Sequence, residues 1–226
     1  MLDNLKTAQV AEIKRFFSSL KDKGLVDQVG QADSRVFIDS KTFRSHVRGL
    51  NDLCDAVVML GAVHLKQQTA NVEFLAMLNE VKPVDRSSLR HDSGSGGGYH
   101  CDSFKSKQIK VFVYLTDVDC VEDGAFEVTR KIWTRLFKFI NLVTLNLLNN
   151  SGSHINRFDY LPRLWFVDAI FSPMLGPAGT LFVADTTLIH RGRPNLTKPR
   201  LMLTFYIGLV HENMASKFGA KHVSSI

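Results

Sequence analysis

Residues 108–116 read Gln-Ile-Lys-Val-Phe-Val-Tyr-Leu-Thr. Such a run of β-branched and aromatic residues suits a pleated surface better than a helix, and it is the clearest strand in the chain. What surrounds it narrows the fold. Asp117 to Gly124 is a polar turn, Ala125 to Val128 a second short strand, and Gly179 to Ala184 and Leu201 to Val210 are strands again. Before Pro83 the texture is helical. Leu5, Val10, Ile13, Phe16, Phe17 and Leu20 recur at near-helical spacing over 5–23, with Lys14, Arg15 and Lys21 on other faces. Residues 35–38 predict a short strand, and 50–65 and 70–80 predict two more helices, the second ending before Pro83. Residues 130–148 return to helical spacing through Ile132, Leu136, Ile140, Val143 and Leu147. Helices first and mostly strands afterwards predict an α+β fold with a sandwich or barrel core.

At 226 residues and 45% hydrophobic, the chain can bury one real core. It carries no internal repeat and no charged linker. Ser93-Gly94-Ser95-Gly96-Gly97-Gly98 has linker composition, but chemistry-bearing residues begin two positions later, so no boundary falls there. The run lacks the Gly-Lys-Ser/Thr of a phosphate loop and reads as a loop, or an entrance that orders on substrate binding. The expectation is a single domain over 1–226: helical support in 1–85, and a strand-built core in 86–210 with a helical insert at 130–150.

Charge is unevenly spread. Residues 1–129 hold 16 Lys/Arg against 18 Asp/Glu, whereas 130–226 hold 12 against 4. A basic half favours an anionic partner or simply a solvated face. Cys54, Cys101 and Cys120 are odd in number and far apart, which argues against a disulfide framework or a zinc site and for a reducing compartment. No apolar run reaches the roughly 20 residues of a membrane span, and the first residues lack a signal-peptide layout. A soluble cytoplasmic protein is the expectation.

Tyr99-His100-Cys101-Asp102 carries the chemistry. On extended backbone, side chains alternate, so His100 and Asp102 share a face and Cys101 takes the other. An imidazole and a carboxylate at i and i+2 can chelate one ion. His190, 88 positions after Asp102 and just past the 179–184 strand, is the natural third ligand. Two His and one carboxylate fill one face of an octahedron and leave the other open, the arrangement of non-haem Fe(II) oxygenases.

The ordered set of His100-Cys101-Asp102, Tyr114-Leu115-Thr116-Asp117, Glu122-Asp123-Gly124, Gly179-Thr180-Leu181-Phe182-Val183-Ala184-Asp185, His190-Arg191-Gly192, Pro194-Asn195 and Arg200 resembles the phytanoyl-CoA dioxygenase family over roughly residues 88–210. The resemblance implies a double-stranded β-helix (jelly-roll, cupin-like) core with the N-terminal helices packed on it. It implies Fe(II), 2-oxoglutarate and O2, with hydroxylation of a C–H bond and release of succinate and CO2. By the same resemblance His100, Asp102 and His190 hold iron, and Arg200 grips the distal carboxylate of 2-oxoglutarate. A planar guanidinium suits that task through two parallel charge-assisted bonds. Strand alternation from Arg200 puts Met202, Thr204 and Tyr206 on its face, so Thr204 is a further candidate for the carboxylate pocket, as is Tyr114 from a facing strand. Arg191 and Arg193 are expected in a turn facing solvent or substrate. Asp102 stands where related halogenases have a small residue, which favours hydroxylation over halogenation, while some relatives desaturate or epimerise instead and the sequence does not separate those outcomes.

The chain also departs from the family pattern. Glu127-Val128-Thr129-Arg130-Lys131 replaces a usual Pro-Gly-Ser/Thr-His segment near the substrate pocket, and Gly192 stands where relatives often have Ser. The apolar helix 132–148, with Trp133, Phe137, Phe139 and Leu142, reads as core packing or a homodimer face, or as a lid over an aliphatic substrate. The substrate expected is an anionic or lipid-like small molecule. Nucleic-acid demethylases of the superfamily carry a second arginine six positions after the first, where this chain has Tyr206. That leaves a non-redox metal-binding jelly roll, isomerase-like or a binding module, as the other alternative.

Overall fold

A computed structural model describes residues 3–29, 32–69, 72–88, 98–102, 109–147, 156–207 and 222–223. In chain order the elements are helix α1 (Thr7–Asp22), strands β1 (Asp27–Val29) and β2 (Asp33–Asp39), helices α2 (Ser40–His46) and α3 (Asn51–Leu65), and strands β3 (Phe74–Val81), β4 (Ile109–Tyr114) and β5 (Phe126–Thr129). Helix α4 (Lys131–Leu147), the short helix α5 (Val167–Ile170) and strands β6 (Phe171–Met174), β7 (Leu181–Asp185), β8 (His190–Gly192), β9 (Arg200–Ile207) and β10 (His222–Val223) complete the set.

The strands form two sheets. The larger runs β1-β2-β3-β9-β4-β7, with β10 beside β2. The smaller runs β6-β5-β8, and His100 extends it by a bridge to His190. Between β4 and β9 the chain passes repeatedly from one sheet to the other, and the pair is a jelly-roll core with β1, β2 and β10 added at the β3 edge. The N-terminal helices cover one face of the large sheet. Ile13, Phe17 and Leu20 of α1, Phe43 of α2 and Cys54 and Val57 of α3 pack there with Phe74, Ala76, Leu78, Val111, Val113, Leu203 and Phe205. The other face meets the small sheet through Phe112, Tyr114, Phe126 and Met202.

Residues 70–80, expected as a helix, contain strand β3 instead. Phe74-Leu75-Ala76-Met77-Leu78 is apolar at every position because both faces of this strand are covered, and an unbroken apolar run has no period to read. Its eight residues pair in register with β9, from Phe74↔Ile207 to Val81↔Arg200, and seven of them with β2. Tertiary pairing overrides the helical propensity of Leu, Ala and Met here. The segment before residue 85 therefore supplies strands β1–β3 as well as helices. The Gly/Ser run, apart from Gly98, lies outside the described residues.

Local signals explain the helix ends. Asp39 Oδ1 accepts the Thr42 N–H at 2.9 Å and caps α2. Lys66 closes α3 in the left-handed conformation. Helix α4 buries Thr134, Phe137 and Asn141, which share one stripe, while Ile132, Phe139 and Ile140 remain exposed. Its buried stripe braces the turn before β8. Thr134 Oγ1 accepts the Ile189 N–H at 3.1 Å, and Lys138 Nζ donates to the Thr187 carbonyl at 2.9 Å. Among the described residues, no helix is long and apolar enough to cross a membrane.

Candidate metal centre

His100 and His190 are directly opposed antiparallel partners. The His100 N–H donates to the His190 carbonyl at 3.0 Å, and the His190 N–H to the His100 carbonyl at 2.8 Å. Their rings lie 4.4 Å apart between centroids. Asp102 follows two residues on, fixed by its N–H to the Thr186 carbonyl at 2.9 Å. Alternation works as the sequence requires: His100 and Asp102 face the space between the sheets, while Cys101 is buried in the cluster behind the small sheet.

Both imidazoles are set up as ligands. His100 Nδ1 lies 2.9 Å from the Gly98 carbonyl and His190 Nδ1 2.9 Å from the Leu188 carbonyl. A carbonyl only accepts, so each Nδ1 carries the proton and each Nε2 offers a lone pair inward. His100 Nε2 lies 3.7 Å from Asp102 Oδ1, and His190 Nε2 3.8 Å from Asp102 Oδ2. The three donor atoms lie within 4.8 Å of one another. Two imidazoles and one carboxylate suit a first-row divalent ion and leave half of an octahedron open.

The electrostatics agree. Burial, helped by the neighbouring His190, pushes His100 down to about 3. Burial also holds His190 below its ordinary value, with Asp102 opposing. Both rings are therefore neutral, as metal ligation requires. Burial works to raise Asp102, but Lys110 and the two imidazoles outweigh it and hold the carboxyl far below the usual carboxylate range. Lys110 Nζ sits 2.7 Å from Asp102 Oδ2 and 4.3 Å from the centre of the Tyr206 ring. Burial alone would depress this lysine, but the carboxylate and Tyr206 hold it above its ordinary value and charged.

These groups line one cavity of about 80 Å³, together with Arg35, Met77, Phe112, Phe126, Gly192, Arg200 and Met202. Arg200 is 1% exposed. Its Nη1 donates to the Gly124 carbonyl, whereas Nε and Nη2 have no hydrogen-bond partner. Unpaired buried donors cost about 1–3 kcal/mol, more when charged, so two donors of this guanidinium could hold an anion. Thr204, on the same face of β9, has a buried hydroxyl that is likewise unpartnered, but it is not among the residues that line this cavity. Tyr114 is placed differently. Its hydroxyl donates to the Met174 carbonyl at 2.9 Å and accepts the Phe126 N–H at 3.0 Å, which ties β4 to the small sheet.

Arg191 and Arg193 do not face open solvent. Both Nε atoms bond Glu127, at 2.5 and 2.6 Å, and Glu127 is 1% exposed. Arg191 also stacks 3.9 Å from the centre of the Tyr99 ring. The pair neutralises a buried carboxylate and secures β8 to β5. Sequence reasoning missed Lys110 and Arg35 as cavity residues. Lys110 stands between Ile109 and Val111 inside a strand, which hinted at burial, but for Arg35, between Ser34 and Val36, no such pattern marks the inward face.

No family model matches the chain, and no curated protein does. Solved structures do. HygX from Streptomyces hygroscopicus, crystallised with nickel and 2-oxoglutarate, aligns with a TM-score of 0.52 at 17% identity, over 92% of this chain and 80% of that one. The non-haem α-ketoglutarate-dependent carbocyclase SnoK of nogalamycin biosynthesis gives 0.53 at 12% identity, over 90% and 76%. A prolyl-4-hydroxylase from Pseudomonas putida gives 0.52 at 14%, over 92% and 89%. The chain is similar to these enzymes in fold.

Proposed function

We propose that this protein is an Fe(II)- and 2-oxoglutarate-dependent dioxygenase of the phytanoyl-CoA dioxygenase-like kind, hydroxylating a C–H bond of a small molecule and releasing succinate and CO2. One observation carries the reading: His100, Asp102 and His190 converge in a cavity with a buried Arg200 whose Nε and Nη2 have no partner. A non-redox metal site has no use for that guanidinium. When bound, Fe(II) with 2-oxoglutarate and O2 supplies the oxidising power for C–H hydroxylation.

The residues divide the work. His100, Asp102 and His190 would hold the iron by one face and leave the other for ligands. Arg200 would hold the distal carboxylate of 2-oxoglutarate through Nε and Nη2, its spare donors. Gly124 aims Arg200 by accepting from Nη1. Phe112, Phe126 and Met202 wall the cavity and keep water out. Lys110 keeps Asp102 ionised. Tyr114 supports the wall from behind. The bond outcome varies within the fold: SnoK is a carbocyclase and SnoN an epimerase. A carboxylate at Asp102, rather than a small residue, favours hydroxylation over halogenation; it does not distinguish hydroxylation from desaturation or epimerisation.

Incubation with Fe(II), 2-oxoglutarate and O2 should give slow succinate formation even without substrate, and none in His190→Ala. Succinate no greater than that of folded His190→Ala would count against the proposal.

A further inference from the structure

Arg200 is not the only arginine in the cavity. Arg35, from β2, reaches it from the edge that the added strands build onto the jelly roll. Register places Arg35 opposite Asn79, and Asn79 opposite Met202, so Arg35 shares the inward face of the large sheet. Its Nη2 bonds Asp33, but its Nε is buried with no partner. Asp33 is not Arg35's alone. It also accepts from Asn79 Nδ2, and its charge reaches Arg200. One carboxylate thus serves two arginines. Tyr206, which lines the same cavity, is within electrostatic reach of both Arg35 and Lys110.

The charges do not balance without a further anion. Arg35, Lys110 and Arg200 line the cavity with Asp102, and Asp33 lies beside Arg35. On the oxygenase reading, a dication and the dianion 2-oxoglutarate cancel each other. One positive charge is left in a low-dielectric space, where an uncompensated charge is costly. With Arg200 engaged by the cosubstrate, Lys110 by Asp102, and Arg35 through Nη2 by an Asp33 that also accepts from Asn79 and reaches Arg200, the buried donor still without a partner is Arg35 Nε. We infer that the substrate carries a carboxylate or another oxyanion, and that Arg35 binds it. This inference rests on the oxygenase reading and narrows its substrate class.

The test uses full-length protein loaded with Ni(II), which does not turn over, and saturating 2-oxoglutarate. Sulfate, a weakly metal-binding oxyanion, is then titrated in by calorimetry. The expected result is one sulfate site that weakens at least tenfold in Arg35→Met and partly recovers in Arg35→Lys, while 2-oxoglutarate affinity stays within twofold of wild type. Circular dichroism and thermal melts confirm that both variants fold, and Arg35→Lys preserves a cation for Asp33 if Arg35→Met does not. Three results would overturn the inference: no sulfate site in wild type, equal sulfate affinity in Arg35→Met, or a 2-oxoglutarate loss in Arg35→Met as large as that in Arg200→Met. Failure to load Ni(II) or 2-oxoglutarate shows at the first step and overturns the parent reading together with this one, whereas failure at the sulfate step overturns this one alone.

Discussion

At the scale of single residues, the account turns on Arg200 and its seat. A buried charge-assisted hydrogen bond is worth about 1.5–3 kcal/mol, so losing the guanidinium in Arg200→Met should raise the 2-oxoglutarate concentration needed for half-saturation by about 10- to 100-fold. Fe(II) affinity without 2-oxoglutarate should change little, because Arg200 is not a metal ligand. Titration of the metal-loaded variant checks both. Gly124 is a second handle. Its φ is +78°, and a Cβ there would stand 3.1 Å from Asn195 Cβ and 3.3 Å from Arg200 Nη1. Gly124→Ala combines left-handed strain of about 1–2 kcal/mol with pressure on Arg200, so 2-oxoglutarate should bind more weakly in a protein that still takes up metal. His100 and Asp102 were legible as one face from their i, i+2 spacing, whereas His190, 88 positions on, was singled out through the ordered set of motifs that resembles the phytanoyl-CoA dioxygenase family. Lys110 and Arg35 were not, because knowing that a strand cation points inward requires knowing which face is covered. Tyr114 was legible as an inward residue, but its use of both hydrogen-bonding capacities between the sheets is a fact of pairing, invisible in sequence.

At the scale of elements, strands β4 and β9 and helices α1 and α3 could be read because each matches its period or propensity. β3 could not, since the same apolar run serves a helix or a doubly covered strand. β6 and β8 escaped for another reason: each is only three or four residues long and exists through its pairing with β5. The fit of α3 on the large sheet offers a direct test. At Gly61 a Cβ would come 2.5 Å from Ile207 Cγ2 and 2.8 Å from Val72 Cγ1. Gly61→Val should destabilise the protein by about 1–3 kcal/mol through overpacking, read as a lower urea midpoint with an unchanged slope. A midpoint equal to wild type would mean that this crossing is looser than described.

At the scale of the whole molecule, the neutral buried histidines link stability to pH. His100 is depressed to about 3 and His190 is also below its ordinary value. The unfolded chain therefore takes up these protons first as pH falls. Their contribution to stability is complete above the unfolded value of about 6.5 and is lost as pH drops toward the folded values. Metal-free protein should lose thermal stability between pH 6.5 and 4, a window above that of Asp102, and His100→Gln should flatten the slope. An equal slope in the variant would contradict the assignment of that window to His100. The most direct test of the central claim is an anaerobic titration of metal-free protein with Fe(II) and then 2-oxoglutarate, watching for the visible iron-to-keto-acid charge-transfer band. The account predicts one band per protein, absent in His190→Ala and demanding far more 2-oxoglutarate in Arg200→Met. Folded wild-type protein that gives no band would contradict it and leave the two sheets as the frame of a different chemistry.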